Sequence, residues 1–274
     1  MFKMPSYVIT GASRGLGWEF LRQISSDSNN TVIGLVRRKS ATEEKVKGEL
    51  PDRTNIHIVE ADITDYAALK NAAVEVATIT GGGLDYLIAN AGVVSHFDAY
   101  DPIGVLGHQP ETLEEELTEC FKVNVVSNIH LFNLFMPLIL KGGIKKVIAI
   151  SSGQASLDII PKLGIEVAAL YSISKAGLNT AVAKFSAQYA KEGVLFMSIC
   201  PGMVETGHFV DATEEQMQGL RAMLGAFFEY APNFRGPVPP GAAVKDVISV
   251  MEKASVNTGD GGSFVSHYGN QQWL

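Results

Sequence analysis

A short apolar run, residues 6–9, ends in Thr10-Gly11-Ala12-Ser13-Arg14-Gly15-Leu16-Gly17, and a helical pattern follows with Leu16, Phe20, Leu21 and Ile24. The order is strand, glycine-rich turn, helix. Gly11 permits a tight exit from the strand, Gly15 lets a phosphate approach the backbone, and Gly17 lets the helix pack close to the sheet. The free N–H groups and dipole at the start of that helix favour an anion. Glycine-rich turns are common, and many bind nothing. This one carries weight because it heads a regular alternation.

The alternation continues as strand 31–36, helix 43–49, strand 56–60, helix 66–78, strand 86–90, helix 112–140, strand 146–151, helix 169–190, strand 195–200, helix 244–254 and strand 263–265. Consecutive Val, Ile and Leu mark strands buried on both faces, as in a parallel sheet. The pattern predicts an α/β fold: a doubly wound parallel sheet of Rossmann type, three αβα layers, one domain over residues 1–274. With 46% hydrophobic and 19% charged residues, the 274-residue chain can bury a sizeable core. Three segments interrupt the scheme: 93–111, 153–168 and 203–241. The last holds a helical pattern over 213–230 and is rich in Phe209, Phe227, Phe228, Tyr230 and Phe234. An excursion of that length after a strand end reads as a cover for a substrate site.

Composition removes several classes of function. The net charge is −7, from 22 basic and 29 acidic residues, and no basic tract exceeds Arg37-Arg38-Lys39. A nucleic-acid partner needs a broad positive face. No run approaches the ~18 apolar residues that span a bilayer; the longest candidate, 129–140, carries His130, Asn133 and Pro137. With no signal-peptide pattern, a cytoplasmic location is expected. Cys120 and Cys200 lie in apolar segments and read as buried, reduced thiols. No two histidines stand four residues apart, so no metal site is expected; His208 and His267 fall near site loops but read as surface residues. Glu111, Glu114, Glu115, Glu116 and Glu119 read as a solvated helix face.

The run Tyr171-Ser172-Ile173-Ser174-Lys175 sits within predicted helix 169–190. Four residues apart, a phenol and an ammonium lie on one helical face. A free tyrosine has a pKa of about 10, and a neighbouring cation is expected to draw it toward the working range. Beside a hydride donor, such a pair suits carbonyl reduction or alcohol oxidation. Asn124, between Val123 and Val125, is a costly residue for a packed helix interior and needs partners if buried.

Taken in order, the glycine turn 10–17, Asp62, Asn90-Ala91-Gly92, Asn124, Ser152, Tyr171 with Lys175, and Pro201-Gly202 with Val204 and Thr206 resemble the short-chain dehydrogenase/reductase family in its single-domain form. The tail around Gly262 to Gly269 is similar to the C-factor-like or sniffer-like carbonyl-reductase branch. The resemblance implies Tyr171 as general acid in reduction, Lys175 lowering its pKa and binding the nicotinamide ribose, Ser152 holding the carbonyl, and Asn124 holding a relay water to Lys175. Ser151 competes with Ser152, on the opposite face of the strand; the family pattern favours Ser152. The gap from Ser152 to Tyr171 is longer than the family's usual one.

The same resemblance implies a cofactor site of Gly11, Ser13, Arg14, Gly15, Leu16, Gly17, Arg37, Asp62, Ile63, Asn90, Ala91, Gly92, Tyr171, Lys175, Pro201, Gly202, Val204 and Thr206. Asp62 and Ile63 would take the adenine, Asn90 would flank the adenosine, and Pro201, Gly202, Val204 and Thr206 would seat the carboxamide. A carboxylate at the end of the second strand suits NAD, and an arginine suits a 2′-phosphate. Arg37 and Arg38 stand there, Arg14 is in the turn, and no acid comes before Glu43, which points to NADP(H). The expected partner is a small carbonyl or alcohol, and a homodimer or homotetramer through helices 112–140 and 169–190 is expected. Competing readings are an NAD-linked alcohol dehydrogenase, a non-redox isomerase or cyclase, and a redox-silent dinucleotide-binding protein.

Overall fold

The structure is a computed structural model and describes residues 4–205 and 213–274. Its strands are β1 (Ser6–Thr10), β2 (Thr31–Val36), β3 (Ile56–Glu60), β4 (Tyr86–Ala89), β5 (Lys146–Ile150), β6 (Leu195–Cys200) and β7 (Phe264–Ser266). They form one sheet in the order β3-β2-β1-β4-β5-β6-β7, with every pairing parallel. The strand order reverses between β1 and β4, where ligands of such sheets bind beyond the carboxyl ends.

Side-chain alternation divides the core into two layers. Val8, Ile33, Leu35 and Val59 face α3 (Tyr66–Thr80), α6 (Ser127–Ile139) and α8 (Ala169–Tyr189). Tyr7, Ile9, Val32 and Val36 face α1 (Gly15–Ile24), α2 (Lys39–Glu49) and α10 (Pro240–Lys253). Neighbouring residues of one strand thus serve opposite layers, which is why the strands are apolar throughout. The expected doubly wound, three-layer α/β fold is present.

Four differences from the sequence reading have local causes. Helix 112–140 is α5 (Pro110–Phe121), a five-residue π-helical turn over Lys122–Val126, and α6. A π-turn is frequent at functional sites, and this one contains Asn124. Helix α2 begins at Lys39, whose N–H is capped from another element by Glu60 Oε2 at 2.9 Å. Helix α10 begins at Pro240, in the first turn where proline loses no helical hydrogen bond. Segments 93–111 and 153–168 contain short helices, α4 (Ile103–Leu106) and α7 (Ile159–Leu163).

At the amino-terminal edge of the sheet, buried Asp85 accepts hydrogen bonds from the Ser6 N–H and hydroxyl and from the N–H groups of Gly143 and Ile144. This leaves the opposite edge for the site. Among the described residues no helix is long and apolar enough to cross a membrane.

Phe132 lies at the centre of the α6 layer, fully buried, with edge-on contacts to Phe185 and Phe196 at 5.4 and 5.5 Å between ring centroids. Phe132→Ala is expected to lower stability by about 3–5 kcal/mol. Urea unfolding would show this as a lower midpoint with an unchanged slope.

Candidate active site

The glycine turn is shaped by close backbone approach. A Cβ on Gly17 would lie 2.2 Å from the Gly11 carbonyl oxygen and 2.7 Å from Asn90 Nδ2, so only glycine fits. Gly11 and Gly15 take positive φ, 68° and 56°. Helix α1 starts at Gly15 with no side-chain cap and no acid in its first turn. Such a helix start suits an anion. Arg14, the residue before that helix, and Arg37, just past β2, are exposed, and Arg37 acts electrostatically on Asp62. Asp62 Oδ1 accepts from the Thr64 N–H at 2.9 Å and the Thr64 hydroxyl at 2.8 Å, and these bonds hold its carboxyl below the usual value. The open, donor-lined turn and its neighbouring cations fit the phosphates of a dinucleotide.

Across the crevice, Thr10 Oγ1 accepts from the N–H groups of Asn90 and Ala91, at 3.0 and 2.9 Å, while Asn90 Nδ2 donates to the Thr10 carbonyl at 3.0 Å. Asn90 is therefore a clasp between β1 and β4. Gly92 follows, and a Cβ there would lie 2.8 Å from Asn124 Oδ1 and 3.4 Å from Lys175 Nζ. Asn124 and Lys175 thus converge on the same small space. Asn124 is fully buried. Its Oδ1 accepts from the Val93 N–H, and its Nδ2 donates to the Val93 carbonyl and to Ser174 Oγ, each at 2.9 Å. The side chain braces the loop after β4 against α8.

Tyr171 and Lys175 occupy the first two turns of α8. Lys175 Nζ donates to the Ile150 carbonyl at 2.8 Å and lies 5.6 Å from the Tyr171 ring centroid. The Ser152 hydroxyl lies near enough to the Tyr171 hydroxyl to favour its ionised form. Ser151 is buried, its hydroxyl without a hydrogen-bond partner among the described residues. Of the two serines, Ser152 is the one on the Tyr171 side.

The expected electrostatics of this pair need correction. Burial pushes the Tyr171 phenol above its ordinary value, and Ser152 only partly offsets that. Burial also pushes Lys175 down, to about 8. The ammonium is aimed at a strand-end carbonyl rather than at the phenol, so desolvation outweighs mutual attraction.

The β6 end closes the other side. Cys200 Sγ accepts from the Gly153 N–H at 3.0 Å and the Gly202 N–H at 3.4 Å, tying the Ser152 turn to the Pro201-Gly202 turn. Burial raises this thiol to about 11. His267 is not the surface residue expected: a Cβ on Gly202 would meet its ring at 2.8 Å, and its Nδ1 is buried with no partner among the described residues. Gly202 has φ 80°, which lets the turn fold against that ring. Val204 pairs with Val238 in an isolated parallel bridge. Thr206, His208 and Phe209 lie outside the described residues. Beyond them, α9 (Glu214–Tyr230) starts with a Thr213/Gln216 capping box. Phe227 and Phe234 turn into a satellite core with Ile159, Leu163 and Trp273, while Phe228 is half exposed.

A family model described as short chain dehydrogenase matches residues 6–217. The chain belongs to the short-chain dehydrogenase family. It is 64% identical over 271 residues to "Short chain dehydrogenase virK" of Hypocrea virens, covering 99% of this chain and 100% of that one. Its fold is also that of the NADPH-bound carbonyl reductase from chicken fatty liver (TM-score 0.77, 24% identity, 98% of each chain). The carbonyl reductase Sniffer of D. melanogaster shares it too (TM-score 0.76, 21% identity, 97% of this chain and 98% of that one). The chain is thus an oxidoreductase of the short-chain dehydrogenase type, a family that uses nicotinamide cofactors.

Two further parts of this dehydrogenase site were not read from the sequence. Lys45, on α2, donates to the Ser13 carbonyl at 3.3 Å, and its Nζ sits 4.0 Å from the centre of the Trp18 ring, adding a cation beside the glycine turn. Cys200 was visible as an apolar-segment thiol, but only the fold shows that it joins two loops. No local spacing signals either contact.

Lys175 makes a stability test. Its folded-state value of about 8 lies below the ordinary 10.5, so the unfolded chain binds the proton more tightly. The penalty is complete below pH 8 and disappears as pH rises past 10.5, so stability rises with pH across that window. The wild type is expected to gain about 3 kcal/mol over that window relative to Lys175→Met. Urea unfolding of both proteins at the two ends measures it; parallel pH slopes contradict it.

Proposed function

We propose that this chain is an NADP(H)-dependent carbonyl reductase that moves hydride between nicotinamide and a ketone, aldehyde or secondary alcohol. The observation that carries the reading is the convergence of Tyr171, Ser152 and Lys175 at the sheet's carboxyl edge, next to a glycine turn open to a dinucleotide. Two carbonyl reductases, one of them NADPH-bound by its description, share the fold. One dinucleotide-binding domain, with the excursion at about 203–241 covering the substrate, is the organisation this reading implies.

When bound, the nicotinamide supplies the hydride. Ser152 holds the carbonyl oxygen beside the Tyr171 hydroxyl. Tyr171 donates its proton to that oxygen as negative charge develops on it. Because burial raises the phenol, Tyr171 stays protonated at neutral pH and is loaded for reduction. Lys175, a cation below about pH 8, favours the phenolate left behind. Asn124, which meets Lys175 across Gly92, stands where a water returning protons to Lys175 would be held.

Arg37 and Arg14 favour NADP(H) over NAD(H), since guanidinium groups fit a 2′-phosphate and the chain running on from β2 carries no acid before Glu43. Lys45 adds a further positive charge nearby. The half-exposed Phe121, Val126 and Ile173 form the apolar surface through which two copies would pair.

Loss of nicotinamide absorbance on a panel of aromatic and aliphatic carbonyls tests the reaction. Tyr171→Phe is expected to reduce turnover by about 10²–10⁴-fold with NADPH affinity nearly intact; unchanged turnover ends the mechanism. Arg37→Asp is expected to weaken NADPH by tenfold or more, on the order of one charged hydrogen bond, and to leave NADH within about twofold. Equal effects on both cofactors would contradict the assignment to NADP(H).

A further inference from the structure

Helix α8 has an unusual start. Its flanking residue, Ala168, sits in the left-handed region at φ 55°, and no side chain at that position caps the helix. A helix start normally takes its cap from Ser, Thr, Asp or Asn at that place. Here the cap comes from 70 residues upstream. Asp98 Oδ2 accepts from the Leu170 N–H at 2.7 Å and the Tyr171 N–H at 3.4 Å. The Asp98 carbonyl accepts from the Ala168 N–H at 2.8 Å. Asp98 is fully buried, and its Oδ1 has no hydrogen-bond partner among the described residues.

A local cap would serve the helix as well, and a left-handed alanine and a half-satisfied buried carboxyl both oppose folding. The remote cap does what a local one cannot. It fastens the loop after β4 to the backbone of Tyr171 itself. That loop is pinned at one end by Asn124 on Val93, and Tyr100, two residues beyond Asp98, packs on the satellite core under α9. Asp98 is thus the joint between the loop, the helix carrying the phenol, and the segment covering the site.

We propose that Asp98 is a positioning residue for Tyr171, holding the phenol in register with Ser152 by anchoring the first N–H groups of α8 to the loop after β4. The inference rests on Tyr171 being the acid. Misplacement of a reacting group by about 1 Å can cost on the order of 10²-fold in rate. Asp98 can cause such a shift because it bonds the backbone of Tyr171, and no other side chain among the described residues caps that start.

The test compares full-length wild type, Asp98→Ala and Asp98→Asn. It uses NADPH, NADPH deuterated at the transferred position, and whichever panel carbonyl the wild type reduces. Turnover is normalised to sites that bind NADPH, so loss of folded protein does not count. Asp98→Ala is expected to lower kcat by about 10–100-fold, keep NADPH affinity within about threefold, and raise the deuterium isotope effect on kcat. Asp98→Asn keeps an acceptor oxygen and is expected to recover most of the rate. A destabilised but correctly aligned enzyme would not change its isotope effect. Unchanged kcat per site with an unchanged isotope effect overturns the inference and leaves the reductase reading intact. If Asp98→Ala yields no folded protein, Asp98→Ser, whose shorter side chain falls short of the Leu170 N–H, is read by the same criteria. A wild type that reduces no carbonyl on the panel overturns the reductase reading, and this inference with it.

Discussion

The clasp between Thr10 and Asn90 sits where neighbouring strands send their chains to opposite faces of the sheet. Backbone groups at such a divergence lose their ladder partners, and buried unpaired N–H or C=O groups are costly. Thr10 Oγ1 takes two of the freed N–H groups, and Asn90 returns a bond to the Thr10 carbonyl. With the gap held open but satisfied, Gly11 and Gly17 can bring turn and helix into near contact. The dinucleotide crevice and the placement of Gly92 against Asn124 and Lys175 follow from that junction.

The chemistry beyond the crevice depends on a conflict between solvation and charge. Lys175 is buried against a strand-end carbonyl, which is poor solvation for an ammonium and lowers its proton affinity. Tyr171 is half-buried beside it, and desolvation raises the phenol. Each group alone is pushed toward its neutral form. Negative charge developing on the phenol oxygen would relieve both penalties at once by pairing with the ammonium. A site of this type is poised because the resting protein satisfies neither group fully.

Legibility varied with how local the cause was. The strands of the described residues stand within a residue or so of their predicted bounds because a run such as Val8-Ile9 or Val147-Ile148 is buried on both faces and carries the signal alone. The start of α2 is not legible in the sequence because its cap, Glu60, comes from a strand 21 residues away. The π-turn at Lys122–Val126 is hidden in the sequence, since nothing in Lys-Val-Asn-Val-Val departs from helical periodicity. The direction of the Tyr171 shift is not legible in the sequence, because spacing shows that a cation is near but not how much water is excluded.

The order of residue types along the chain was enough for the parallel α/β class, the glycine turn, and the proximity of Tyr171 and Lys175, because each follows from backbone geometry within a few residues. Burial, and everything that burial controls, came from contacts between distant segments. The Asp98 cap on α8, the Cys200 bridge between two loops, the Lys45 cation over Trp18 and the lowered Lys175 ammonium all arise where chain segments meet. Hydrogen bonds and desolvation act over ångströms in space, whatever the separation in sequence, so no local pattern could encode them.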